Sequence, residues 1–394
     1  MRILTLNSNL KGIGTYLRCY YFSRELARRG HAVTMATVSP SSRYRPRLYY
    51  KKSYLHEAAE RAGEGPWVRV AEGPSLGYRW LPGWGSGPLD VWWRTREIWT
   101  GGYDAVYGFE YQPNVSCPFY LTRPLREFRF CSDWCDWHAG QSNRLRGWRI
   151  AHRIDGYFEE RIRFFAEAVT VISKTLHDRA VRIGIEPRRV ISIPEGVDTE
   201  YLRDFPKEQV RRRHGLPPDR AIAVAVKDGD MSRTVRIFGS VLQRIPDAIF
   251  VVLGDIGPEA KAVSEAMGIG GQIHWAGRVS DQDYPEYLGC GDVCILPLRN
   301  DTLNQARFPA KLLDFWASGR PVVTNPVGDV ADLLRTRDIG IAAGQSAEEI
   351  ADSVVALLRE PERARHLGAT ARQVMVREWE WSLRGPAIAG AITG

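Results

Sequence analysis

Phe308-Pro309-Ala310-Lys311-Leu312-Leu313-Asp314-Phe315-Trp316-Ala317-Ser318-Gly319-Arg320-Pro321-Val322-Val323 reads as a loop, a short helix and a buried strand in quick succession. Pro309 suits the first helical position, where a missing N–H costs nothing, and Gly319 suits the position just past the helix end. The backbone N–H groups near Ala310, Lys311 and Leu312 are then predicted to be unpaired and to point out of the helix N-terminus. That end carries partial positive charge and accepts anions, reinforced here by Lys311. Lys311 and Asp314 are three residues apart and share a helix face. Anion-binding amides with a carboxylate one turn deeper suit a ligand that joins a diphosphate to a ribose diol, as a sugar nucleotide does. A surface helix with a solvated Lys–Asp pair accounts for this segment equally well when it is read alone.

Outward from this segment, short apolar runs alternate with helical ones. In the first half Ile3–Leu6, His31–Ala36, Trp67–Val70, Ala105–Tyr107, Phe128–Ser132 and Val169–Ile172 read as strands. Thr15, Cys19, Phe22 and Leu26 recur at helical spacing and predict one core face. Further helices are expected over Glu159–Ala168 and Lys174–Ile183. The second half repeats the style with Val190–Ile193, Ala221–Val226, Ile249–Leu253, Ile273–Trp275, Val293–Leu296 and Pro321–Thr324. Apolar strands alternating with helices mean parallel sheets covered on both faces. Two such series imply an α/β chain of two doubly wound Rossmann-like domains, joined near Glu186–Arg189. A leftover helical segment, Val376–Ile388, lies beyond the second series.

The 394 residues exceed one ordinary core and suit two domains. Net charge is +8, and of 54 basic residues only 8 are Lys, so Lys227 and Lys311 stand out at predicted phosphate-facing points. A basic balance fits anionic substrates, a membrane surface or nucleic acid. The six Cys mostly lie in apolar runs without paired His, which reads as buried free thiols in a reducing cytoplasm rather than zinc or disulfide chemistry. Met1-Arg2 leads straight into an apolar strand without a signal-peptide layout. No stretch approaches the ~20 apolar residues that span a bilayer. Between Ser41 and Gly101, Arg43, Arg45, Arg47, Lys51 and Lys52 interleave with Tyr44, Tyr49, Tyr50 and Tyr54, followed by Trp80, Trp84, Trp92, Trp93 and Trp99. Such a mixture suits a membrane interface or lipid-linked substrate, could equally stack nucleic-acid bases, and is also explained by packing of an inserted loop and helix.

Several segments together resemble the large family-four glycosyltransferases of the GT-B fold. Gly14 followed by Leu26-Ala27-Arg28-Arg29-Gly30-His31-Ala32-Val33 is similar to their first loop, helix and strand. The run Glu160–Ser173, Gly184 and Ile191-Ser192-Ile193-Pro194-Glu195-Gly196-Val197-Asp198 resembles the junction between their domains. Val252-Leu253-Gly254-Asp255 and Trp275-Ala276-Gly277-Arg278-Val279 match two later landmarks, and the opening segment resembles the donor helix. Each motif is weak alone; their order covers nearly the whole chain.

The resemblance implies a nucleotide-sugar-dependent transferase acting with retention, without cofactor or essential metal, its two domains facing across a cleft. The expected limits are 1–186 for the acceptor domain, 187–377 for the donor domain, and 378–394 for a helix crossing back to the first domain. Donor-binding residues carried over are Gly14, Lys227, Arg233, Asn304, Arg307, Ala310, Lys311 and Asp314. Asp314 fits the second member of the family's acidic pair, but the first position holds Ala306; Asn304, Asp301 and Arg307 are nearby substitutes, within an Asn-x-x-Arg-x-Pro-x-Lys pattern of part of the family. Ser132 stands where the family's His is expected. His138, Asp133 and Glu110 are therefore the catalytic candidates, with Asp136 on the acceptor side. Acidic residues beside His suit recognition of an acceptor hydroxyl or proton handling, although a capped turn with Trp packing explains each singly.

The expected partners are a nucleotide sugar and a glycan or lipid-linked acceptor, with peripheral contact at the inner face of the membrane rather than nucleic acid. A GT-B nucleotide-sugar epimerase and an inactive nucleotide-sugar-binding relative fit the same fold. A nicotinamide enzyme fits worse: Gly12-Ile13-Gly14 lacks a third Gly, and no clear ribose-binding acid follows the second strand.

Overall fold

The structure, a computed structural model, describes residues 1–12, 14–39, 51–55, 68–74, 87–139 and 149–394. The predicted Arg/Tyr run at 43–50 and Trp80 and Trp84 lie outside the described residues. The chain forms two compact units, Met1–Glu195 together with Trp381–Gly394, and Gly196–Glu380.

The first unit begins β1 (Arg2–Leu10), α1 (Tyr16–Arg28), β2 (Ala32–Val38), β3 (Lys51–Leu55) and β4 (Val68–Gly73). It continues α2 (Pro88–Gly101), β5 (Ala105–Phe109), α3 (Pro113–Thr122), β6 (Arg129–Trp134) and α4 (Arg149–Phe164). It closes with β7 (Ala168–Val171), α5 (Lys174–Arg182) and β8 (Val190–Ser192). The sheet runs β3-β4-β2-β1-β5-β6-β7-β8. The β3–β4 pair is antiparallel, and the other pairs are parallel. β5 is buried along its whole length, as a strand covered on both faces must be. The predicted face of α1 is the observed one: Thr15, Cys19, Phe22 and Leu26 are all buried. Phe22 meets the Phe109 ring edge-on at 5.3 Å.

The second unit holds α6 (Lys207–Arg213), β9 (Ile222–Val226), α7 (Met231–Leu242), β10 (Ile249–Leu253) and α8 (Pro258–Ala266). Next come β11 (Ile273–Gly277), α9 (Tyr284–Gly289), β12 (Val293–Leu296), α10 (Thr302–Ala306) and α11 (Ala310–Ala317). Then follow β13 (Val322–Thr324), α12 (Asp329–Thr336), β14 (Gly340–Ala342), α13 (Ala347–Arg359) and α14 (Pro361–Val374). All pairs in its sheet, ordered β11-β10-β9-β12-β13-β14, are parallel. The chain then returns to the first unit as α15 (Trp381–Thr393), packed on α1 through Trp381, which stacks on Tyr21 at 5.0 Å.

Three details differ from the sequence reading. Val190–Ser192 was expected to open the second series but pairs with β7, so the first unit runs to Glu195 rather than ending at 186. The helix expected from Glu159 starts at Arg149. β3 and β14 were not foreseen: one carries two lysines and the other is three residues long, so neither shows a strand period. All six cysteines are free thiols, five of them buried and Cys117 half-buried.

Candidate functional site

In an open parallel sheet, ligands gather beyond the carboxyl ends of the strands where the strand order reverses, because neighbouring loops there turn opposite ways and leave a crevice. The second sheet reverses between β9 and β12. The loop after β9 carries Lys227 to Asp230, and the segment after β12 leads through α10 to α11. Asp228 receives Arg307 Nη2 on one oxygen and Lys311 Nζ on the other, both at 3.0 Å. Burial works to raise this carboxyl, but the charges of Lys311 and Arg307 prevail and hold it below its ordinary value. Asn304 aims the guanidinium: its Oδ1 accepts Arg307 Nε–H at 3.0 Å, while its Nδ2 donates to the Arg299 carbonyl and to Asp301. Asn304 thus links α10 to Arg307, and Ala306 nearby is wholly buried.

α11 begins at Ala310 with Pro309 as its N-cap, so the helix starts one position later than expected. The Leu312 N–H is not free, since it donates to the Pro309 carbonyl at 3.0 Å. The amides of Ala310 and Lys311 have no partner among the described residues. At the other end Gly319, with φ +72°, closes the helix, its N–H donating to Trp316 and that of Arg320 to Phe315. This is the paired C-terminal motif that the sequence expected of a glycine there. Asp314 accepts the Tyr284 hydroxyl at 2.8 Å. Burial pushes its carboxyl up to about 6, against the opposing pull of Tyr284 and Lys311.

Lys227 and Arg233 are both tethered to main-chain carbonyls, Lys227 to Asp255 and Arg233 to Gln345 at 2.7 Å. A carbonyl positions a cation without neutralising it. Gly254 makes the first tether possible: its φ is +106°, and a Cβ there would fall 2.7 Å from Lys227 Cβ. Two further residues escaped the sequence reading. Buried Asn325 accepts the Leu298 N–H at 2.7 Å and donates to Ala343 and Gly344, tying the loops after β12, β13 and β14 together. Gly328, at φ +56°, lets its loop lie against the Asn304–Gln305 backbone, where a Cβ would meet the Gln305 carbonyl at 2.8 Å. A polar residue and a glycine just after predicted strands were the available signal.

The first sheet reverses between β1 and β5. After β1, Gly14 has φ +60°, and a Cβ would meet Asn9 Nδ2 at 2.7 Å. Asn9 Nδ2 donates to Thr15 Oγ1, which donates to Asn7 Oδ1, so the turn is pinned to its own strand. After β5 comes Glu110, the only non-glycine among the described residues with positive φ, at 70°. Such strain persists only where surrounding contacts hold it, and here the buried Glu110 Oε1 accepts the N–H groups of Cys135 and Asp136 and the Cys135 thiol. Its Oε2 lies 3.5 Å from His138 Nε2 and 3.9 Å from Arg163 Nη2. Burial would raise Glu110, yet the His138 contact and the Arg163 charge hold it well below the usual carboxylate range. Glu159 fixes the His138 turn from beneath by accepting the His138 N–H at 3.0 Å and the Ala139 N–H at 2.6 Å.

The structure therefore brings Glu110, His138 and the Asp136 backbone together, but not the Asp133 carboxylate, although the Asp133 carbonyl accepts the Glu110 N–H at 3.3 Å. Asp133 is fully buried in β6, gripped by Arg18 at 2.8 and 2.9 Å and by the Thr170 hydroxyl at 2.6 Å. A carboxylate sealed in this way ties α1 to the sheet and is not placed to exchange protons with a substrate. Ser132, at the position where His was expected, is also fully buried. Two trios of side chains, Glu110–Cys135–Asp136 and His214–Asp283–Glu286, bring metal-type ligand atoms within 4.8 Å of one another. Glu110 and Glu286 already face cations, Arg163 in the first and Arg213 at 2.7 Å in the second.

Among known proteins, the chain matches the family model described as Glycosyltransferase Family 4 over residues 12–201 and that described as Glycosyl transferases group 1 over residues 229–360. It is 24% identical over 213 residues to a GDP-mannose-dependent alpha-(1-6)-phosphatidylinositol monomannoside mannosyltransferase of Mycobacterium tuberculosis, covering 51% of this chain. The chain spans about half the length of that relative, 55%. Sucrose-phosphate synthase from Thermosynechococcus elongatus shares the fold with a TM-score of 0.78 at 16% identity, over 99% of this chain and 98% of the other. Anabaena Alr3699/HepE, solved in complex with UDP and glucose, superposes with a TM-score of 0.72 at 15% identity, over 100% and 99% of the two chains. The order of the two sheets, the donor-like helix and these matches make the chain a GT-B glycosyltransferase of the family-four type.

Proposed function

We propose that this chain moves a hexose-type sugar from a nucleoside diphosphate sugar to an acceptor hydroxyl, with retention of configuration and without a metal or other cofactor. The observation that carries the reading is Asp228 lodged between Arg307 and Lys311 at the strand-order reversal of the second sheet. An internal carboxylate marks an anion position between two cations, beside the free amides of a helix start. A diphosphate carries more charge than one carboxylate and can draw on Lys227 and Arg233 as well.

The barrier is cleavage of the glycosidic C–O bond, with positive charge growing on the sugar and negative charge on the departing diphosphate. Fixed cations and amides aimed at that leaving group need no reorganisation as the charge develops. Asp314 would accept the ribose hydroxyls. On the acceptor side, Glu110 stays ionised at neutral pH and faces the partly exposed His138 imidazole, which is the group able to handle the acceptor proton; Asp136 would bind the acceptor. The phosphatidylinositol mannoside named for the mycobacterial relative supports a lipid-linked acceptor, and no helix among the described residues is long and apolar enough to cross a membrane.

A thermal-shift screen of nucleoside diphosphates and their sugars, GDP-mannose and UDP-glucose first, followed by donor hydrolysis with each hit, tests the reading. A Lys227→Ala/Arg233→Ala double variant should lose ~100-fold or more in rate. Normal turnover in that variant would remove the assignment. Donor binding without transfer across a broad acceptor panel would instead favour an inactive relative, the reading that buried Ala306 supports.

A further inference from the structure

Of the twelve large apolar side chains left exposed among the described residues, seven belong to one layer of the first unit, formed by α2, α3 and α4 with the residues that follow them. On α2, Trp92 and Trp99 are 62% and 44% exposed. They lie one and two turns along the same face as exposed Arg96, at i, i+4 and i+7. On α4, Arg153, Tyr157, Arg161 and Phe165 recur every fourth position, all exposed, with the Arg161 guanidinium 5.2 Å from the Phe165 ring centre. At the end of α3, Leu121 and Leu125 are 57% and 66% exposed beside half-buried Arg126. The three stripes are neighbours: α2 packs on α3, and Tyr120 of α3 meets Phe165 edge-on at 5.7 Å.

The charges on this layer are as one-sided as its aromatics are exposed. Arg96, Arg126, Arg153 and Arg161 have no carboxylate partner among the described residues, whereas Arg123 close by is paired with Glu167 at 3.1 Å. The acidic residues of the layer are mostly spent inside: Asp90 on Arg94, Glu97 on Arg69, Glu160 on Arg179. Among the described residues, the exposed acids are Asp104, which accepts the Arg2 N–H, Glu167, which holds Arg123, and Glu127. Guanidinium groups without carboxylate partners, spread over α2, α4 and the turn after α3, call for a broad anionic surface, not a single phosphate. Trp, Tyr and Leu between them have the length and polarity to enter the headgroup region while Arg stays at the phosphate level.

We propose that the α2–α4 layer is a peripheral docking surface for an anionic lipid bilayer. It extends the lipid-linked acceptor reading above but does not use the donor site, so the two can fail separately. The full-length chain should pellet with vesicles of phosphatidylcholine containing roughly one third phosphatidylglycerol and should bind pure phosphatidylcholine far more weakly, with the difference fading at high salt. An Arg96→Ala/Arg126→Ala/Arg161→Ala variant should lose ~100-fold in vesicle affinity, at ~5-fold for each charge. Trp92→Ser/Trp99→Ser should reduce binding ~10-fold or more. The replaced side chains are exposed, or in the case of Arg126 half-buried without a carboxylate partner, so thermal midpoint and nucleotide-sugar affinity should match the parent.

Failure of the parent to bind anionic vesicles overturns the proposal. So does binding that survives in both variants, which would move the contact to another segment such as residues 43–54. A dimer in light scattering that Trp92→Ser/Trp99→Ser dissociates would assign the face to a second copy and overturn it equally.

Discussion

Asp314 sits one turn inside α11 with its Oδ2 on the Tyr284 hydroxyl, and burial lifts its carboxyl from 3.8 to about 6. A raised value means the folded protein keeps a proton that the unfolded chain has released. That contribution to stability is complete below 3.8 and is lost as pH rises through about 6. Accepting ribose hydroxyls requires the ionised form, so donor affinity should rise as pH climbs through the same point and then level off. Calorimetric titration with a nucleotide sugar, which has no group of its own titrating there, reads this directly; Asp314→Asn should flatten the profile, and a flat profile in the parent would contradict the role. Asp133 makes the opposite case. Its removal takes from buried Arg18 its two-pronged partner and leaves only Glu195, 4.0 Å away; breaking a buried pair in this way costs ~3–5 kcal/mol. Asp133→Ala should therefore shift the denaturation midpoint strongly, whereas a proton-transfer group would lose rate with stability intact.

Among the elements, the loop–helix units after β9, β10 and β12 gather at the strand-order reversal of the second sheet, where the proposed donor site lies, and their glycines were legible for physical reasons. Gly319 could be placed from sequence because a helix end followed by Arg-Pro needs a left-handed residue. Gly254 could be recognised only as a landmark; its reason, the packing of Lys227 across it, comes from the pairing of β9 with β10. Gly254→Ala should cost ~1–3 kcal/mol in strain and displace Lys227, raising the donor KM more than it lowers kcat. An unchanged KM would show that Lys227 does not need its tether. α10 illustrates what local pattern misses. Asn304 reads as a substitute for a missing acid, yet the fold uses its Oδ1 to aim Arg307 at Asp228, a residue on another strand's loop.

At the scale of the whole chain, α15 completes the first unit from the far end of the sequence. Trp381, Ile388 and Ile392 are buried against α1 and the sheet, and the Cys131 thiol donates to the Ala391 carbonyl. Each such side chain contributes ~1.5–3 kcal/mol, a large share of the ~5–15 kcal/mol that holds a domain folded. Truncation after Glu380 should give two calorimetric transitions, with Met1–Glu195 melting early and Gly196–Glu380 still binding a nucleoside diphosphate; a single unshifted transition would contradict this. The sequence by itself determined the kinds of element, most of their order, the two-unit α/β architecture and the short helix that closes at Gly319, because apolar period, Pro and Gly act over a few residues. Only the tertiary structure decided that Asp228 lies between Arg307 and Lys311, that Glu110 meets His138, and that Asp133 retreats to Arg18. Those pairings join loops at the ends of different strands, and the strand order that brings them together is set by packing of the whole sheet, which leaves no trace in any local run of residues.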